Sequence, residues 1–155
     1  MDASDLEEIQ LFRAVRESGA RSLLIGRRAL VALGLPVATF DYDFWVHFDD
    51  VERFNDALAP FDHFPNHAPD VARTRGRYVI ENGEHIDVMI SRSRTTISGE
   101  VLTFDDAWTR RQTLPFGPTE LVLPAIEDLI RTKAWAMRAK DIADIQMLEA
   151  LRKQS

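Results

Sequence analysis

The sequence predicts a mixed α/β (α+β) fold: a small mixed β-sheet flanked by helices, with a helical C-terminus. Three observations carry this. Short apolar runs bounded by Gly, Asp and Pro alternate with amphipathic stretches through the first half of the chain. Two further apolar segments meet at Asn82-Gly83, a strong hairpin signal. Residues 125–137 and 140–151 are apolar at helical spacing and contain neither Gly nor Pro. Helices layered on a sheet are the packing such an order gives.

The elements follow in turn. Ser4 or Asp5 can cap a helix over residues 6–18, with Leu6, Ile9, Phe12 and Val15 mostly on one face and Gly19 ending it. Ser22-Leu23-Leu24-Ile25 reads as a short buried strand. Residues 27–33 read as a helix between Gly26 and Gly34, and Pro36 breaks the chain. Residues 43–48 are aromatic and β-branched and read as a strand, after which Asp49 or Asp50 can cap a helix over 51–59. Residues 61–69 read as a loop. Strands are expected over 77–81 and 85–90, and a short helix over 104–111. A turn falls around Pro115, Gly117 and Pro118, with strand-like Leu121-Val122-Leu123 after it.

Composition narrows the class. At 155 residues, 45% hydrophobic and 28% charged, the chain suits one domain spanning 1–155 with a real core. Its net charge of -6 argues against tight non-specific binding of nucleic acid. It does not oppose a phosphate-bearing substrate, because a metal ion can bridge two anions. The chain contains no cysteine, which removes disulfides, thiolate zinc sites and cysteine nucleophiles. No apolar run approaches the roughly 20 residues that cross a bilayer. The acidic first residues do not form a secretory signal. A soluble, cytoplasmic protein without a membrane partner is expected.

The chemistry concentrates in a few carboxylates. Asp41 and Asp43 stand two apart at the start of a strand, so their side chains share one side. Two carboxylates at close range need a counter-charge, and a divalent cation is the usual one. Asp87 sits inside the apolar run His85-Ile86-Asp87-Val88-Met89-Ile90, where a lone Asp needs a partner. If the two strands are neighbours, three carboxylates converge. The other reading makes Asp41 and Asp43 turn-borne caps of backbone groups, and it requires Asp87 to point away from them.

A longer pattern surrounds these acids. A strand runs into Gly26-x-x-Ala29-x-x-x-x-Gly34, then Thr39-x-Asp41-x-Asp43, then Asp87. Near the end, Ile126 to Lys133 precede Arg138-x-Lys140-Asp141-x-x-Asp144. From about Ser22 to Leu151 the chain resembles the DNA polymerase beta-type nucleotidyltransferases. The resemblance is to small bacterial members of abortive-infection and toxin–antitoxin systems. It implies that Asp41, Asp43 and Asp87 hold Mg²⁺, and that Asp87 helps deprotonate the attacking hydroxyl. It implies that Gly26 lets the backbone approach a nucleoside triphosphate, with Arg27 and Lys133 on the nucleotide side. The reaction would move a nucleoside monophosphate onto an acceptor hydroxyl of a protein, an RNA or a small molecule. A cognate toxin or antitoxin would be a further partner.

The chain also departs from that pattern. Arg27 stands where the family keeps a second Gly or a Ser, and Val37 where many relatives carry an Arg. Arg27 can grip a triphosphate or fill its place. The alternative is therefore a catalytically degenerate protein of the same fold that binds a partner protein or a nucleotide.

Other polar residues carry weaker readings. Lys133, Arg138 and Lys140 either reach phosphates or pair with Asp141 and Asp144, with Lys140 and Asp144 at i,i+4. Arg28 is expected at solvent or beside an acid. His85 shares the strand face of Asp87. His63 and His67 have helical ligand spacing, but Pro65 lies between them, so no zinc site is expected. No P-loop, dinucleotide loop or serine triad is present.

Overall fold

The computed structural model describes residues 3–82 and 84–154. Helix α1 (Ala3–Glu17) leads into β1 (Ser22–Ile25), α2 (Gly26–Ala32), β2 (Asp41–Val46) and α3 (Val51–Leu58). Then follow β3 (Phe64–Pro65), α4 (Pro69–Arg75), β4 (Arg77–Asn82) and β5 (Glu84–Met89). A small hairpin, β6 (Ser93–Thr95) and β7 (Val101–Thr103), precedes α5 (Phe104–Thr109). A second, β8 (Gln112–Phe116) and β9 (Thr119–Leu123), precedes α6 (Ile126–Lys133) and α7 (Ala139–Lys153).

The main sheet has the order β1-β2-β5-β4-β3. It is mixed: β2 and β5 run parallel, and the other neighbours antiparallel. Parallel pairing needs a long crossover, and the segment carrying α3, β3, α4 and β4 provides it. Alternation then divides the side chains between two faces. Leu24, Tyr42, Phe44, Ile86, Val88 and Ile80 enter the larger core with Leu11, Phe12 and Val15 of α1 and Val51, Phe54 and Leu58 of α3. Leu23, Ile25 and Trp45 enter a second core with Leu102, Phe104 and Ala107. Trp45 is fully buried, and its indole N–H donates to the Ser91 carbonyl at 2.8 Å. It meets Phe104 and Trp135 edge to face at 5.4 and 5.3 Å, a favoured aromatic geometry.

Some expected boundaries shift. The strand expected over 43–48 spans Asp41–Val46, because pairing with β5 begins at Asp41. The region before residue 77 contains α4, with Pro69 in its first turn and Gly76 at φ +80 ending it. Pro115 and Gly117-Pro118 belong to a hairpin rather than a bare turn. The helix expected to reach Met137 ends at Lys133, and Met137 adopts φ +50 before α7 starts. The expected cap at Ser4 or Asp5 and residue Gly83 of the expected turn concern residues whose side chains or backbone lie outside those described. The flanking register Asn82 to Glu84 is that of a hairpin.

Candidate active site

The parallel register places Asp43 directly beside Asp87, and Asp41 beside His85. In parallel strands, partners at the same level project to the same face. Asp41, Asp43 and Asp87 therefore share one face and line one cleft of about 470 Å³. The capping reading, which needed Asp87 on the opposite face, does not describe this arrangement.

Gly26 sets the floor. Its φ of +70 is left-handed backbone that favours glycine. A Cβ there would lie 2.9 Å from both Cβ and Cγ of Asp43, and closer still to Oδ2. The end of β1 thus runs against the Asp43 carboxylate. No side chain caps the start of α2.

The acids are electrostatically crowded. Burial, then the charges of Asp87 and Asp41, push the Asp43 carboxyl up from 3.8 to about 6, against the opposing pull of Lys133 and Lys140. His85 Nε2 stands 3.2 Å from Asp87 Oδ2, and its Nδ1 3.3 Å from Glu81 Oε1. Arg77 approaches Asp87 more loosely, at 4.0 Å. Asp41 is exposed, and its backbone N–H donates to Thr39 Oγ1 at 3.1 Å.

A set of hard carboxylate oxygens that repel one another suits a divalent cation such as Mg²⁺. Among the described residues, no three such groups form a ready-made cage.

The opposite wall is basic and firmly tied. Asp144 of α7 has a side chain with no solvent exposure. Arg27 donates to both its oxygens, at 3.3 and 3.2 Å, and Lys133 Nζ stands 2.9 Å from Oδ2. Arg27 thus neither fills the space among the acids nor points freely outward. Lys133 is both a cleft residue and a structural partner. Of the partners the sequence left open for Asp144, the structure uses Lys133 and adds Arg27, which was not among them. Arg138 donates from its backbone and guanidinium to Asp141 at the start of α7. Burial opposes the charge on Asp141, but those hydrogen bonds hold its carboxyl below the ordinary value. Arg28 lies over the Tyr42 ring at 4.1 Å and 3.6 Å from Glu8, the acidic neighbour expected of it.

Sequence reasoning missed three cleft residues, Arg75, Arg77 and Arg94, and the tethering role of Asp144. The order of the Gly26 turn, the paired acids and Asp87 was the available signal. Isolated arginines carry no periodic one.

The element order and the mixed sheet are those of the nucleotidyltransferase fold. Similar structures include the nucleotidyltransferase-like protein TM1012 of Thermotoga maritima, at TM-score 0.62 and 11% identity over 99% of this chain and 94% of that one. The antibiotic-resistance factor ANT(2'')-Ia matches at TM-score 0.65 and 12% identity, over 96% and 84% of the two chains. The lincosamide antibiotic adenylyltransferase LnuA, solved with lincomycin bound, matches at 0.63 and 11%, over 96% and 97%. No protein-family model and no curated protein matches the sequence. Among the described residues, no helix is long and apolar enough to cross a membrane.

Proposed function

We propose that this chain transfers a nucleoside monophosphate from a nucleoside triphosphate to an acceptor hydroxyl, with Asp41, Asp43 and Asp87 holding Mg²⁺. The observation that carries the reading is the parallel register of Asp43 and Asp87 with Asp41 on the same face, opposite a basic wall. When bound, the metal supplies Lewis-acid stabilisation of the charge growing on the phosphates.

The chain's own residues have distinct tasks. Lys133 and Arg27, fixed by Asp144, orient the triphosphate and stabilise the departing pyrophosphate. Gly26 keeps the backbone side open for that approach. Asp87 takes the proton of the acceptor hydroxyl as its oxygen bonds to the α-phosphorus. The bond from that phosphorus to the bridging oxygen breaks, and pyrophosphate leaves. His85 orients the Asp87 carboxylate through the 3.2 Å contact.

The alternative of a catalytically degenerate binding protein rested on Arg27 filling the triphosphate's place. Its position on Asp144 favours the enzyme reading. Calorimetric titration of ATP and GTP with Mg²⁺ into wild type and Asp43→Asn tests this. Binding that weakens about tenfold or more in the variant is expected, since a charged ligand contact is lost. Undiminished binding in Asp43→Asn, or none in wild type, refutes it. The toxin–antitoxin association belongs to the same proposal. It requires that expression arrest growth, or relieve an arrest, in a manner that Asp43→Asn abolishes.

A further inference from the structure

The cleft carries more positive charge than one triphosphate wall explains. Seven Lys and Arg side chains line it against four carboxylates, in a chain whose net charge is -6. Arg27, Lys133 and Arg138 are tied to Asp144 and Asp141 on the wall assigned above to the nucleotide. Lys140, exposed at the start of α7, belongs to the same wall; the other three, Arg75, Arg77 and Arg94, are exposed and lie on the side formed by the end of α4, β4 and β6. Arg77 stands 4.0 Å from Asp87, the group assigned to the acceptor's proton.

Arg75 and Arg94 have no carboxylate partner among the described residues. Arg94 is nevertheless placed. Its guanidinium lies 5.0 Å from the centre of the Trp135 ring, and one nitrogen donates to Met89 Sδ at 3.5 Å. A guanidinium over an aromatic ring, with one nitrogen on a thioether, keeps its other N–H groups for a planar or tetrahedral oxyanion. Arg75 closes α4 just before Gly76, whose carbonyl accepts from the Ile90 N–H at 2.9 Å. The end of that helix is therefore fixed relative to β5.

Resting on the nucleotidyl-transfer reading, we infer that the acceptor is a small hydroxyl-bearing anion whose phosphate or carboxylate is gripped by Arg75 and Arg94. A cationic acceptor would meet this wall with like charge. A polynucleotide would need a basic track leading out of the cleft. The neighbouring Arg92 is instead held over the Phe48 ring at 4.2 Å and 3.7 Å from Asp49, and the acidic chain opposes a polyanion.

The test uses the full chain and an Arg75→Ala/Arg94→Ala double variant, each with Mg²⁺ and a non-hydrolysable ATP analogue. Both are titrated calorimetrically with glycerol 3-phosphate, glycerate, glycerol, glucosamine and a short RNA. The two anions separate phosphate from carboxylate as the recognised group. Anion binding by wild type is expected to weaken about tenfold or more in the double variant, as for a lost charge-assisted hydrogen bond. Affinity for the analogue should change by less than about twofold, since neither arginine lies on the nucleotide wall. Glycerol or glucosamine binding as well as the anions overturns the inference. So does preferential, arginine-dependent binding of the RNA, or anion binding that is absent or unchanged in the variant. If the analogue does not bind wild type, the transfer reading falls, and the anion titrations repeated without it judge the arginine site by itself.

Discussion

Asp43→Asn should make the metal-free protein more stable at neutral pH. The native fold raises the Asp43 carboxyl from 3.8 to about 6, chiefly by burial and then by the charges of Asp87 and Asp41. The folded state therefore prefers the protonated form. The stability this group contributes is fully present below about pH 4 and is lost as pH rises through about 6. Taken whole, the shift amounts to about 3 kcal/mol at pH 7. Asp43 is only half-buried at an open cleft, so solvent screening reduces this to about 1–2 kcal/mol. Asparagine keeps the side chain's shape beside Gly26 and removes its charge. For a chain of this length that gain is roughly 2–8 °C in melting temperature. Circular dichroism melts in EDTA at pH 7.5 and pH 4.5 provide the measurement. The variant should melt higher at pH 7.5, with the gap narrowing by more than half at pH 4.5, where Asp43 of the folded wild type is protonated. Adding Mg²⁺ should raise wild type more than the variant. A variant less stable than wild type at pH 7.5 in EDTA, or a gap independent of pH, would show that the acids do not repel one another as argued.

Two further outcomes follow from the same geometry. Gly26→Ala combines left-handed strain with the clash against Asp43 and should cost about 2–4 kcal/mol, read from the urea midpoint; an unshifted midpoint would mean that the approach of β1 to Asp43 is not tight. Asp144→Asn removes the charge shared by Arg27 and Lys133 and should cost about 3 kcal/mol while weakening nucleotide binding. Unchanged nucleotide affinity in a folded Asp144→Asn protein would separate that tether from function.

The acids were legible because period-two alternation is strict. Asp41 and Asp43 had to share a face, and the parallel register of β2 and β5 brought Asp87 to it. The hairpin at Asn82 was legible from turn chemistry for the same local reason. What escaped depends on distance along the chain or on weak local signals. Helix α4 has only seven residues, and its Pro69 reads equally well as the end of a loop. Strand β8 contains Pro115, which suggests a break until pairing with β9 supplies its partner. Asp144 has Lys140 at helical spacing, and the sequence left its partner open among Lys133, Arg138 and Lys140. Burial decided it, because a carboxylate with no solvent exposure takes the bidentate Arg27 and the buried Lys133.

The Arg27–Asp144 pair spans 117 positions of sequence. Contacts of such separation form late, since their loop must close before any gain is realised. As the chain emerges from the ribosome, β2 and β5 can align their acids well before α7 exists to anchor Arg27 and Lys133. For that interval Arg27 and Lys133 lack the carboxylate that fixes them. Docking of α7 supplies Asp144, so the ordered form of the basic wall is acquired as one of the last events of folding.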